Sequence, residues 1–137
     1  MRKIIYSTLL LFLTFFAVGQ ELNSKASYIK KNYSLEYDET IKKHALQGWG
    51  DDFSMVLFEI NKQADALFGL IEAFETENTS IAVKAIQVWS IEGYHNSNAI
   101  ILKEMKTFEL DQLIKLHCDW SMVKYEYDKQ VKAKNSF

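Results

Sequence analysis

The stretch FSMVLFEINKQADALFGLIEAF, residues 53–74, decides the fold class. Its apolar residues Leu57, Ile60, Ala64, Leu67, Ile71 and Phe74 recur at alternating spacings of three and four, which places all six along one side of a helix. Phe53, Val56, Phe58, Phe68 and Leu70 widen the stripe. Asp51 or Asp52 stands immediately before it, where a carboxylate caps free backbone N–H groups, so the pattern predicts a helix running to about Thr76. A stripe this broad requires cover from several neighbours, which makes this helix the central one.

Gly48-Trp49-Gly50 breaks the chain on the N-terminal side of this helix, with Gly48 where a C-cap glycine belongs. Ahead of it, Ser34 is placed to cap a helix reaching about Gln47, with Tyr37, Ile41 and Ala45 at four-residue spacing. Residues 20–33 are polar and weakly patterned and read as an arm or a frayed helix. On the other side, Glu77 to Ser80 forms a polar turn, and Ile81 to Glu92 reads as a third helix. Its β-branched Ile81, Val83, Ile86, Val88 and Ile91 leave a strand reading open, while Ala82 and Ala85 favour helix. Gly93 to Asn98 is a polar break, and Ala99 to Lys106 a short helix. The last helix is expected from Glu109 to about Lys134, with Leu113, Leu116, Trp120, Val123 and Tyr127 forming its stripe. The expectation for residues 34–137 is therefore an all-α domain, a bundle of four main helices plus one short helix. The absence of Pro and the presence of only five Gly argue against sandwiches, barrels and nucleotide-binding α/β folds, which need more turn residues. With 48% hydrophobic and 14% aromatic residues, the chain is too apolar for intrinsic disorder.

The N-terminus reads as an export signal covering residues 1–19. Met1-Arg2-Lys3 is a positive start, Ile4 to Phe16 an apolar run, and Ala17-Val18-Gly19 a set of small residues before the cleavage point, with Gln20 as the new N-terminus. An uncleaved anchor is the competing reading, but a spanning helix needs about 20 apolar residues and this run is shorter. Export implies a periplasmic or secreted protein that meets the membrane only through the signal. The Phe-Ala-Val-Gly-Gln ending of that signal, followed by a Lys-rich chain without Arg, resembles small uncharacterised exported helical proteins of Flavobacterium-like Bacteroidota. The resemblance is one of style and carries over no functional residue.

Charge narrows the partners. The chain carries 16 Lys+Arg against 18 Asp+Glu, and Arg2, inside the signal, is its single arginine. Phosphate and base recognition relies on the guanidinium fork, so a nucleic-acid partner is not expected. Cys118 is alone and can form no internal disulfide; it reads as a small buried hydrophobe.

The chemistry-bearing motifs are few. Cys-x-x-Cys pairs, Gly-rich phosphate loops and a His-Glu-x-x-His helix are all missing. Three histidines, His44, His95 and His117, lie on separate segments, and a bundle could gather them with a carboxylate into an open metal site. Glu92-Gly93-Tyr94-His95 has the Glu-x-x-His spacing of di-iron bundles, but as a single copy interrupted by Gly93. His117 and Cys118, read as helical neighbours, would point about 100° apart, and His117 is most simply a half-buried structural histidine. Asp51-Asp52 with Glu59 could form an acid–base pair, though adjacent Asp at a helix start are ordinarily caps. Trp49, between two glycines, either plugs the bundle end or offers a stacking surface, with plugging favoured. The leading expectation is a non-catalytic exported module that binds an envelope protein or a small apolar ligand, with no cofactor. The alternative is a metal-dependent enzyme or metal sensor built on His44, His95, His117 and a carboxylate.

Overall fold

The computed structural model describes residues 21–73 and 78–137. The export signal, Gln20 and the stretch 74–77, with Phe74 and the expected helix end at Thr76, lie outside the described residues. Among the described residues the fold is all-α, with one isolated antiparallel β-bridge between Ser90 and Cys118.

Helix α1, Ser24–Asn32, occupies the region expected as an arm or frayed helix. It is capped by Asn23, whose side-chain oxygen accepts from the Ala26 N–H at 2.8 Å. Only Ala26 and Ile29 are buried, too few to leave a readable period, yet both belong to the core. Asn61 fastens the segment to the central helix: its Oδ1 accepts from the Asn23 N–H and its Nδ2 donates to the Glu21 carbonyl. Helix α2 follows as one helical run of three segments, Ser34–Glu36, a π turn Tyr37–Lys42, and Lys43–Trp49. Tyr37, Ile41 and Ala45 are all buried, as their spacing predicts. The wide π turn buries Thr40 beside them, for which the sequence holds no signal. The helix leaves its path at Gly50, whose φ of 55° suits a residue without Cβ, and not at Gly48 as expected. Ser34 is likewise the first helical residue and not the cap.

Helix α3, Phe53–Ala73, is the central element. Asp52 caps it, with Oδ1 accepting from Ser54 Oγ at 2.8 Å and the Met55 N–H at 3.3 Å. The buried face runs through Val56, Ile60, Gln63, Ala64, Leu67 and Leu70, about one residue round from the expected stripe. Leu57 and Ile71 sit at its border, and Phe53 and Phe58 point into solvent instead of widening it. The face is set by what surrounds it, since α3 packs against α1, α2 and the last helix together.

Helix α4, Thr79–Val88, resolves the choice between helix and strand at this position; Ala82, Ala85 and Ile86 are buried. It stops before Glu92 because the next residues extend to pair with residues 117–119. Helix α5, His95–Glu104, begins four residues before the expected Ala99, and short α6 spans Leu110–Leu113. The expected single helix from Glu109 to Lys134 is therefore broken. After α6 the chain extends through Cys118 and restarts as α7, Trp120–Asn135, capped by Asp119. Leu113, Leu116, Trp120, Val123 and Tyr127 are nevertheless all buried, the first three on different elements.

Leu67, fully buried at the middle of α3, and Lys62, exposed on the same helix, make a calibrated pair. Leu67→Ala is expected to cost about 2–5 kcal/mol through lost burial and the cavity left behind. Lys62→Ala should shift stability by less than about 0.5 kcal/mol. Urea unfolding of the two variants beside the parent checks both figures, and equal costs would contradict the central placement of α3.

Candidate functional site

The break between α6 and α7 organises the polar chemistry of the molecule. Residues 117–119 are extended, so their backbone groups need partners that a helix would have supplied internally. The segment from Trp89 to Ile91 provides part: Asp119 N–H donates to the Trp89 carbonyl at 3.1 Å, and Ile91 N–H to the His117 carbonyl at 2.9 Å. Two buried carboxamides complete the set. Asn98 on α5, 1% exposed, donates from Nδ2 to the His117 carbonyl at 3.0 Å and accepts the His117 N–H on Oδ1 at 3.2 Å. Gln63 on α3, also 1% exposed, accepts the Trp120 N–H on Oε1 at 2.6 Å.

The other end of Gln63 assembles a side-chain cluster. Its Nε2 donates to Glu59 Oε1 at 2.9 Å and to Asp119 Oδ1 at 2.8 Å. Asp119 Oδ1 also accepts from Ser121 Oγ and from the Met122 N–H, the capping bond of α7. Its second oxygen, Oδ2, lies 3.4 Å from His44 Nε2 on α2. Burial would raise the Asp119 pKa, but hydrogen bonds from His44, Gln63 and Ser121, with the His44 charge, hold its carboxyl well below the usual range. The bond to Asp119 raises the His44 pKa, against burial, and the negative charges of Asp119 and Glu59 add to the rise.

One donor atom each from His44, Glu59 and Asp119 lie within 4.8 Å of one another, a spacing at which one ion could be shared. Among the described residues this is the group of three or more such side chains close enough to do so, and neither His95 nor His117 belongs to it. His95 is exposed at the start of α5, so the three histidines do not form the shared site of the alternative reading. His117 instead faces Thr40, with Nδ1 hydrogen-bonded to Thr40 Oγ1, and stacks on Tyr94 at 4.0 Å between ring centroids. Burial lowers its pKa despite the pull of Glu39 and Glu36. Because residues 117–119 are extended and not helical, His117 and Cys118 point to opposite sides. Cys118 turns inward beneath Asn98 and the Ile86 carbonyl, and burial pushes its thiol up to about 12, far from thiolate chemistry.

Trp49 does not plug the bundle end. It is 43% exposed, with Leu46 and Phe53 also exposed on either side of the Gly50 turn. The other acidic candidate, Asp52, is engaged as the α3 cap, while Glu59 belongs to the His44 cluster. Sequence reasoning had His44 but missed Gln63, Asn98 and Asp119. Two of these carried a visible signal: Gln63 interrupts an apolar stripe between Ile60 and Leu67, and Asp119 precedes a helical run as a cap residue does. Asn98 had none, being one of several polar residues in a polar stretch. No protein family model, curated protein or solved structure matches the chain.

The His44–Asp119 pair implies a definite pH dependence. Asp119 keeps its stabilising charge until pH falls well below about 4, and a raised His44 stabilises fully below about 6.5 and loses that contribution as pH rises through its folded pKa. In chelator-treated protein the melting temperature should fall between pH 6 and 8.5 by more in the parent than in His44→Gln, measured by scanning calorimetry. Parallel curves would contradict the pairing.

Proposed function

We propose that the chain is an exported, non-catalytic helical module that docks a partner protein through the apolar corner where α2 turns into α3. The observation that carries this reading is the exposure of Trp49 and, at 66%, Phe53, together with Leu46 one turn before Trp49. Tryptophan and phenylalanine are enriched at the desolvated centres of interfaces, and a turn presents them away from the body of the domain. The chemistry-bearing groups support a non-catalytic role. Cys118 is buried as a neutral thiol, and His117 is committed to Thr40 and Tyr94. Export rests on the N-terminal signal read from the sequence, residues 1–19. Among the described residues no helix is long and apolar enough to cross a membrane.

A small apolar ligand is the second reading, favoured by a groove of about 370 Å³ between α4 and α7 where Ile81, Ala85 and Val88 offer apolar surface. The corner is preferred because its side chains are larger and more fully presented.

The double variant Trp49→Ser/Phe53→Ser tests the reading. Both side chains are exposed, so folding stability should change by only about 0.5 kcal/mol per site. Chemical crosslinking in an envelope extract of the producing cell should capture a discrete partner with the parent chain and lose it with the variant. The same captured protein from both would overturn the proposal, as would self-association of the parent, seen by sedimentation, that the variant abolishes.

A further inference from the structure

We infer that His44, Glu59 and Asp119 form a binding site for one divalent transition-metal ion, with zinc the ion best suited to the donors. The inference does not depend on the docking corner. The three ligands come from three elements, α2, α3 and the N-cap of α7, and one donor atom from each lies within 4.8 Å of the others. Imidazole nitrogen and carboxylate oxygen are both zinc donors, and three protein ligands leave a fourth position to water. Two ligands of a tetrahedral zinc, each about 2.0–2.2 Å from the ion, lie roughly 3.4 Å apart. His44 Nε2 and Asp119 Oδ2 are separated by 3.4 Å, longer than an ordinary N–H···O bond of about 2.7–3.2 Å.

The arrangement of hydrogen bonds points the same way. Those donated to Asp119 by Gln63, Ser121 and Met122 all end on Oδ1. Oδ2 is thereby left to the His44 side. Gln63 holds Glu59 in the same manner, bonding Oε1 from the same Nε2 that holds Asp119. Ligating carboxylates are characteristically fixed by such outer partners, and the orienting group here is a fully buried amide on the central helix, not a mobile surface side chain. The charge balance agrees. Two carboxylates are brought together in a half-buried site, and His44 supplies at most one positive charge, which leaves a cluster that attracts a cation. The His44 and Asp119 side chains are 31% and 22% exposed, so an ion has a path from solvent. His44 also lines a cleft of about 320 Å³ shared with Lys43, Gln47 and Tyr94, which leaves room beside it for water. Bound there, the ion would join α2, α3 and the start of α7.

The test is calorimetric titration of zinc chloride into the chelator-treated protein, with the thermal melt followed in parallel. The parent should bind one zinc and melt at a higher temperature when zinc is in large excess. Glu59→Gln keeps an oxygen acceptor for Gln63 and removes one ligand charge; His44→Gln removes the imidazole. Each should bind zinc at least about ten-fold more weakly, with metal-free far-ultraviolet spectra unchanged. If Glu59→Gln fails to fold, His44→Gln decides alone. His95→Gln, at the exposed start of α5, should bind as the parent does. Absence of zinc binding in the parent would overturn the site. So would full binding by His44→Gln, or a loss in His95→Gln equal to that in His44→Gln, which would mark adventitious surface histidine binding only.

Discussion

Two carboxamides buried among the helices hold a stretch of backbone that the helices cannot satisfy. Where α6 gives way to α7, the chain extends for a few residues, and the N–H groups of His117 and Trp120 and the carbonyl of His117 turn toward protein. Asn98 meets both His117 groups, much as a neighbouring strand would, and Gln63 accepts from Trp120. A buried backbone group left without such a partner costs about 1–3 kcal/mol, a large fraction of the ~5–15 kcal/mol by which domains are stable. The amides are therefore as much part of the core as Leu67 or Trp120, and their polarity is what allows the break to exist.

The placement of His117, Cys118 and Asp119 follows from that break. An unbroken helix would have set His117 and Cys118 about 100° apart on one cylinder. Extended, they part to opposite sides, so the thiol is sealed in the interior and the imidazole stacks on Tyr94. Asp119 falls just ahead of a new helix, where it caps α7 with one oxygen and faces His44 with the other. Gln63 links the two requirements, because its oxygen secures the backbone of Trp120 while its nitrogen draws Glu59 and Asp119 together. Structural satisfaction and the candidate metal site thus share one side chain.

The helical class was legible because the run from Phe53 to Phe74 is long and strongly periodic, and such runs survive differences in local packing. The details that escaped each have a physical cause. Helix α1 buries only Ala26 and Ile29, so its apolar period is nearly silent, and its anchoring through Asn61 is a long-range contact that no local pattern encodes. The break at residues 117–119 was invisible because Leu113, Leu116, Trp120, Val123 and Tyr127 keep helical spacing across it, although the elements that carry them differ. Burial imposes that spacing here as effectively as a continuous helix would. Of the candidate site, His44 and Glu59 were foreseen, each with other partners. A histidine announces itself by residue type, whereas Glu59 and Asp119 become its neighbours only once three elements have packed. Gln63 was the readable clue, a carboxamide in the centre of an apolar stripe.

Native-state hydrogen exchange at the backbone amides of His117 and Trp120, followed by NMR, reports whether the two carboxamides hold the break. If Asn98 and Gln63 hold the break as a part of the core, both amides should exchange only through global opening, with an opening free energy equal to that from denaturant unfolding. Exchange as fast as that at the exposed C-terminal end of α7, while amides inside α3 stay protected, would contradict it.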